Sequence, residues 1–162
     1  METLELVPSD AVRTIVGEVF LVMVKLQIRP VDGKWKSQTG ARVTAIVGLS
    51  GPVDSGQPNF SVILETSEEL ALRITGATLK RPLTQWSHIV EDACGEIANM
   101  IAGNLKKHLI ATHVLSLPTV IHGVDYEWGV PAPQVMQEQV FECGSEAFRV
   151  CVLQAQTDHP TP

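Results

Sequence analysis

The sequence predicts an α+β domain in which a largely antiparallel sheet packs with about three helices, and three observations carry that expectation. Capping residues and helical spacing of apolar side chains mark two long segments and one short one. Short runs rich in β-branched residues lie between and after them, separated by turns that carry Gly and Pro. The last two of these runs are joined at Gly144-Ser145, a hairpin signal that implies an antiparallel pair.

Taken in order, Ser9 and Asp10 offer an N-cap to a first helix, in which Val12, Ile15, Val16, Val19, Phe20, Met23 and Leu26 recur at helical steps. The polar, Gly-bearing stretch from Asp32 to Gly40 reads as a loop, and Ala41 to Ser50 as a strand. Gly51 to Pro58 is a turn-rich connection to a second strand, Asn59 to Glu65. Thr66 and Glu69 then supply the T-x-x-E capping box of a short second helix. After the break at Pro82, Thr84 or Ser87 caps a third helix reaching about Leu109, where Lys106, Lys107 and His108 complement the negative end of the helix dipole. Val114 to Leu117, Thr119 to His122, Gln139 to Cys143 and Ala147 to Leu153 complete the strands. Residues 1–155 are expected to form a single domain and 156–162 a disordered tail.

Composition narrows the function classes. With 162 residues and 44% hydrophobic content, the chain has enough apolar surface for one core. A net charge of -6 and no basic run longer than Lys106-Lys107 argue against a nucleic-acid partner. The apolar run Val19 to Val24 is far too short to span a membrane and lacks a signal peptide's basic lead and cleavage site, so a cytoplasmic location is expected. Cys94, Cys143 and Cys151 read as reduced core residues, and the five histidines show no ligand spacing, so no metal of the protein's own is expected. Trp35, Trp86 and Trp128 fall in loops or at element ends and read as buried anchors.

The third helix carries the chemistry. On a wheel of about 100° per residue with Glu96 at zero, Asp92, Asn99 and Gly103 fall within about 60°. Val90, Cys94, Ile97, Ala98, Ile101, Leu105 and Leu109 gather opposite. A solvated face also needs polar residues, but no Lys or Arg at i, i+4 partners Glu96, and the apolar Met100 stands beside it. Gly95 and Gly103 edge or join the stripe, and each costs about 1 kcal/mol relative to Ala inside a helix, which suggests a close approach to the backbone. Asn104 and His108 lie nearer the buried side, where each is expected to make a structural hydrogen bond.

The run Asp92-Ala-Cys-Gly-Glu96-Ile-Ala-Asn99-Met-Ile-Ala-Gly103-Asn104-Leu-Lys106 resembles the signature helix of the CheC, CheX and FliY phosphatases, an acid or Ser followed by Glu and then Asn at i, i+4, i+7. A long first helix, a strand ending Gly48-Leu-Ser-Gly51, and Leu117-Pro118-Thr-Val-Ile-His-Gly123 extend the resemblance across most of the chain. It implies a CheC/CheX-like fold and hydrolysis of the aspartyl phosphate on a CheY-like receiver domain. By the same resemblance Glu96 pairs with the receiver's active-site lysine and Asn99 holds the attacking water, and the helix face read above, Asp92, Gly95, Met100 and Gly103, is then expected to be the partner-binding surface. The magnesium ion is expected from the receiver and a homodimer from the CheX relatives. CheC-type members carry a second Glu/Asn pair on the first helix; here Leu21 stands three residues after Glu18, so one site is expected, as in CheX.

Two further readings use other residues or another role. Ser116, His122 and Asp125 are the ingredients of a hydrolytic triad, but no G-x-S-x-G elbow surrounds the serine and a structural role is expected. No phosphate-binding glycine loop is present, since Gly48, Gly51 and Gly56 lack the spacing and the following Lys. The alternative to the phosphatase is a non-catalytic CheX-like scaffold that binds receiver domains or other signalling proteins, or a flagellar-switch-like subunit of the same fold. Intact Glu96 and Asn99 favour the enzyme.

Overall fold

A computed structural model describes residues 7–36, 38–109, 112–129 and 133–155 of the chain. Among these residues the strands are β1 (Arg29–Val31), β2 (Arg42–Ser50), β3 (Asn59–Ser67), β4 (Val114–Leu115), β5 (Thr119–Gly123), β6 (Pro133–Cys143) and β7 (Glu146–Ala155). The helices are α1 (Ser9–Val19), continued by a π-helical turn at Phe20–Val24, then α2 (Glu68–Leu79) and α3 (His88–Leu109). All the strand pairs are antiparallel, in the order β1-β6-β7-β3-β2, with β4 and β5 both on the outer edge of β2. The α+β architecture is therefore the one expected. Gln156 to Pro162, expected as a tail, lie outside the described residues.

Strand alternation divides the buried residues between two faces. Val47, Leu49, Val62, Leu64, Val150 and Val152 form one core with Val16 and Phe20 from the N-terminal helix and Ile97, Ala98, Ile101 and Leu105 from α3. Ile63, Cys151 and Leu153 belong to a separate cluster, over which Ile46 and Trp128 pack. The intervening position after Leu64 is Glu65, whose side chain is only 1% exposed. Its Oε1 accepts from Arg42 at 3.1 Å, and its Oε2 accepts from Arg149 at 3.0 Å and from Trp128 Nε1 at 2.6 Å. Arg42 also lies over the Tyr126 ring, and Arg149 over Trp35 and Trp128. Two cations and an indole N–H thus replace the water this carboxylate loses on burial.

Several local details differ from the sequence expectation, each for a stated reason. Pro8 occupies the cap position of α1, and no side chain bonds the helix start; Ser9 and Asp10 are already inside the helix. The π turn inserts an extra residue into the helical period, so Val24 is buried where spacing favoured Met23, and Leu21, Val22 and Met23 face outward. Lys25 then ends the segment in the left-handed region. On α2 the cap is Ser67, not Thr66: Ser67 Oγ accepts from the Leu70 N–H at 3.0 Å, while Thr66 is the penultimate residue of β3. The α3 start is held by the Ser87 carbonyl, which accepts from the N–H groups of Val90 and Glu91. Strand β1 was not expected, because its three residues include Pro30 and carry no alternation; it exists by pairing with Val140 to Glu142.

Removing the buried carboxylate leaves Arg42 and Arg149 facing each other across an apolar face. Glu65→Ala is expected to lower stability by about 3 to 5 kcal/mol, read from the urea unfolding midpoint at unchanged m value. A loss below about 1 kcal/mol, the range of exposed pairs, would mean that the cluster is solvated in solution.

Candidate functional site on the third helix

Helix α3 presents its residues much as its wheel requires. Val90, Cys94, Ile97, Ala98, Ile101, Ala102 and Leu105 are buried, Asp92 and Glu96 are exposed, and Asn99, Met100 and Gly103 are half-buried. Neither the Glu96 carboxylate nor the Asn99 amide makes an ion pair or side-chain hydrogen bond to another described residue. Asn104 behaves as expected and donates through Nδ2 to the Met100 carbonyl at 2.9 Å. His108 is exposed, so the expected structural bond is absent from its surroundings among the described residues. Met100 packs part of its side chain against the core, which removes some of the apolar surface expected beside Glu96.

The two glycines of the stripe have different reasons to be glycine. Gly95 is buried, and a Cβ there would stand 3.3 Å from Pro118 Cγ and 3.5 Å from Val120 Cγ2. The close approach expected at Gly95 is thus made within the chain, by β5 and the residue before it. Gly103 is half-buried, and a Cβ there would meet only Leu115 Cδ1 at 3.8 Å, an ordinary contact. No local pattern relates residue 118 to residue 95, so the contact was not legible from helical spacing.

The remaining candidates resolve into structural roles. Ser116 Oγ accepts from the Gly48 N–H at 2.8 Å and donates to the Leu117 carbonyl at 2.9 Å. His122 Nε2 lies 2.5 Å from Glu68 Oε2 and its ring stacks on Trp86 at 3.8 Å. No hydrogen bond joins Ser116, His122 and Asp125 among the described residues, so they do not form a triad. Burial pushes the Cys94 thiol up to about 12, which removes it as a nucleophile although it stands on the same helix. Among the described residues no group of three or more His, Cys, Asp or Glu could hold a metal ion, and no helix is long and apolar enough to cross a membrane.

Glu96 and Asp92 border a shallow hollow of about 330 Å³ shared with Glu91, Gly95, Pro118 and Val120. Roomier hollows of about 560 and 590 Å³, beside Trp35 and Arg29, share none of these residues. A carboxylate and an amide on an open helix face cannot exclude water from a small substrate by themselves. They can complete a site that another macromolecule brings.

The fold is an antiparallel sheet packed against three helices, and the comparisons identify its family. Residues 43–141 match the family model described as chemotaxis phosphatase CheX, and the chain belongs to that family. Its fold is similar to the chemotaxis protein CheX of Vibrio vulnificus, at 21% identity and TM-score 0.74 over 91% of this chain and 97% of that one. The CheX of Desulfovibrio desulfuricans matches at 23% identity and TM-score 0.73, covering 90% of this chain and 97% of that one. The CheX of a CheX-CheY-BeF3-Mg complex from Borrelia burgdorferi matches at 19% identity and TM-score 0.68, covering 91% and 97%. No curated protein matches the sequence.

The glycine geometry gives a paired expectation. Gly103→Ala should raise stability by up to about 1 kcal/mol, because the helix gains propensity and the methyl is accommodated. Gly95→Ala should gain nothing or lose about 1 to 3 kcal/mol, because Pro118 must move. Thermal unfolding of both variants checks this, and equal stabilisation by both would contradict the Pro118 contact.

Proposed function

We propose that this protein dephosphorylates the aspartyl phosphate of a CheY-like response-regulator receiver domain, with Glu96 orienting the complex and Asn99 positioning the hydrolytic water. The observation that carries the reading is that these two side chains, three residues apart on one helix face, one exposed and one half-buried, have no ion pair or side-chain hydrogen bond among the described residues. Membership of a family described as a chemotaxis phosphatase, and similarity to a CheX solved with CheY, BeF3 and Mg, support a receiver as the partner.

In this reading Glu96 meets the receiver's active-site lysine and sets the register of docking. The Asn99 amide oxygen accepts a hydrogen bond from water and aims its lone pair at phosphorus, opposite the aspartyl oxygen. A bond forms between the water oxygen and phosphorus, the bond between phosphorus and the aspartyl oxygen breaks with its electron pair going to the carboxylate, and the products are the receiver's free carboxylate and dihydrogen phosphate, which keeps both protons of the water. An acyl phosphate is activated already, so alignment and a completed electrostatic site suffice without a base on this chain. Charge on the phosphoryl oxygens is neutralised by a magnesium ion that belongs to the receiver. Asp92, Met100 and Gly103 flank the pair as contact positions; a homodimer and a cytoplasmic location belong to the same reading.

Binding and turnover separate between the two residues. Asn99→Ala should leave receiver affinity nearly intact and lower the dephosphorylation rate about a hundredfold, about 2.7 kcal/mol in the barrier. Glu96→Ala should weaken both together. The measurement is decay of phosphorylated receiver with and without each protein; equal acceleration by wild type and Asn99→Ala would remove the role of Asn99, and decay with wild type no faster than receiver alone would leave only the non-catalytic scaffold.

A further inference from the structure

We infer that Leu117, on the link between β4 and β5, is the apolar anchor that seats the receiver domain against Glu96 and Asn99. The inference rests on the proposed phosphatase reading and adds to it a positioning residue outside the signature helix.

Register along the edge of β2 isolates this residue. Leu115 is opposite Leu49 and Thr119 is opposite Ile46, so four steps along the link answer three along β2. The link therefore contains one extra residue, a β-bulge, and bulges re-aim side chains. Ser116 fixes its first half: its N–H donates to the Gly48 carbonyl at 2.8 Å and its hydroxyl accepts from the Gly48 N–H at 2.8 Å. Pro118 fixes its second half by lying over Gly95. Between the two clamps Leu117 is 89% exposed.

The clamps also place Leu117 along α3. Leu115 lies against Gly103 and Pro118 against Gly95. Eight helical residues rise about 12 Å, and three extended residues span about 10 Å, so the link runs beside the turns that contain Glu96 and Asn99. A lone exposed leucine on a mobile loop would need no explanation. Here an apolar side chain is held outward by hydrogen bonds and a proline, beside two unpartnered polar groups, with no contact of its own to the core.

The occupant is a phosphorylated receiver domain. The hollow beside Pro118 is bordered by Glu91, Asp92 and Glu96, an acidic rim that suits a partner presenting a lysine at its phosphoacceptor site. An apolar patch next to that lysine would cover Leu117 and exclude water from all but the attacking position. A pre-positioned leucine contributes to binding without ordering a loop first.

The test compares Leu117→Ser and Leu117→Met with wild type in steady-state dephosphorylation of the receiver, with thermal unfolding and sedimentation of the free protein alongside. Leu117→Ser should raise KM for the phosphorylated receiver about tenfold or more with kcat within about twofold, and Leu117→Met should restore KM to within about threefold. The melting temperature should not move, since the side chain is outside the core. An unchanged KM in Leu117→Ser would overturn the inference while active wild type keeps the phosphatase reading. A change of sedimentation with unchanged KM would also overturn it and assign the residue to contact between copies of this chain. Wild type that neither binds the receiver nor accelerates phosphate loss would end the phosphatase reading and this inference with it.

Discussion

The seating of α3 on the sheet decides what this surface can do. Ile97, Ala98, Ile101, Ala102 and Leu105 are buried in the core that contains Val47 and Leu49 of β2 and Val62 and Leu64 of β3. Once that stripe is buried, each remaining residue has one direction, because neighbours on a helix are separated by about 100°. A one-residue shift in the buried stripe would carry Glu96 from solvent toward the core or the sheet edge. The small side chains of Ala98 and Ala102 let the helix approach the strands, and the missing side chain of Gly95 lets Pro118 close over the same helix from the edge. The candidate site is therefore held from two directions, by the sheet below and by the β4–β5 link beside it.

The other face of the sheet meets a different requirement. No α-helix covers Ile63, Cys151 and Leu153 among the described residues; Trp128 and Ile46 pack there instead. Polar groups on a covered sheet face need partners, and here Glu65 accepts from Arg42, Arg149 and Trp128 and Thr44 bonds Tyr126, while Arg149 Nε and Trp35 Nε1 are buried with no hydrogen-bond partner among the described residues. This arrangement concentrates the costly electrostatics away from α3. Changes to the exposed face of α3 and changes to the charge cluster accordingly act through separate sets of contacts.

Legibility in the sequence followed the range of the interactions involved. The buried and exposed faces of α3 were readable because helical spacing is a local property, and the hairpin at Gly144-Ser145 was readable because its turn places Gly144 at φ +64. The resemblance of Asp92, Glu96 and Asn99 to a known signature added a role that spacing alone leaves open. What escaped was of two kinds. The cap of α2 moved by one residue because β3 extends through Thr66 to Ser67, and tertiary pairing with β2 won over a capping motif. The partners of Glu65, the bulge at Leu117 and the Pro118 contact with Gly95 depend on residues far apart in the chain, for which a single sequence holds no period or motif.

Burial of Cys94 has a consequence for the conditions under which the signature helix can work. The thiol sits two residues before Glu96, and desolvation pushes it up to about 12. At neutral pH the thiolate, the nucleophile that attacks peroxides and disulfides, is then scarcely populated. Cys151, also pushed up to about 12 by burial on the opposite face of the sheet, is protected in the same way. The helix thus keeps its cysteine out of thiol chemistry two residues from an exposed carboxylate, and the half-buried thioether of Met100 is left as the sulfur on its outer side that oxidation would change.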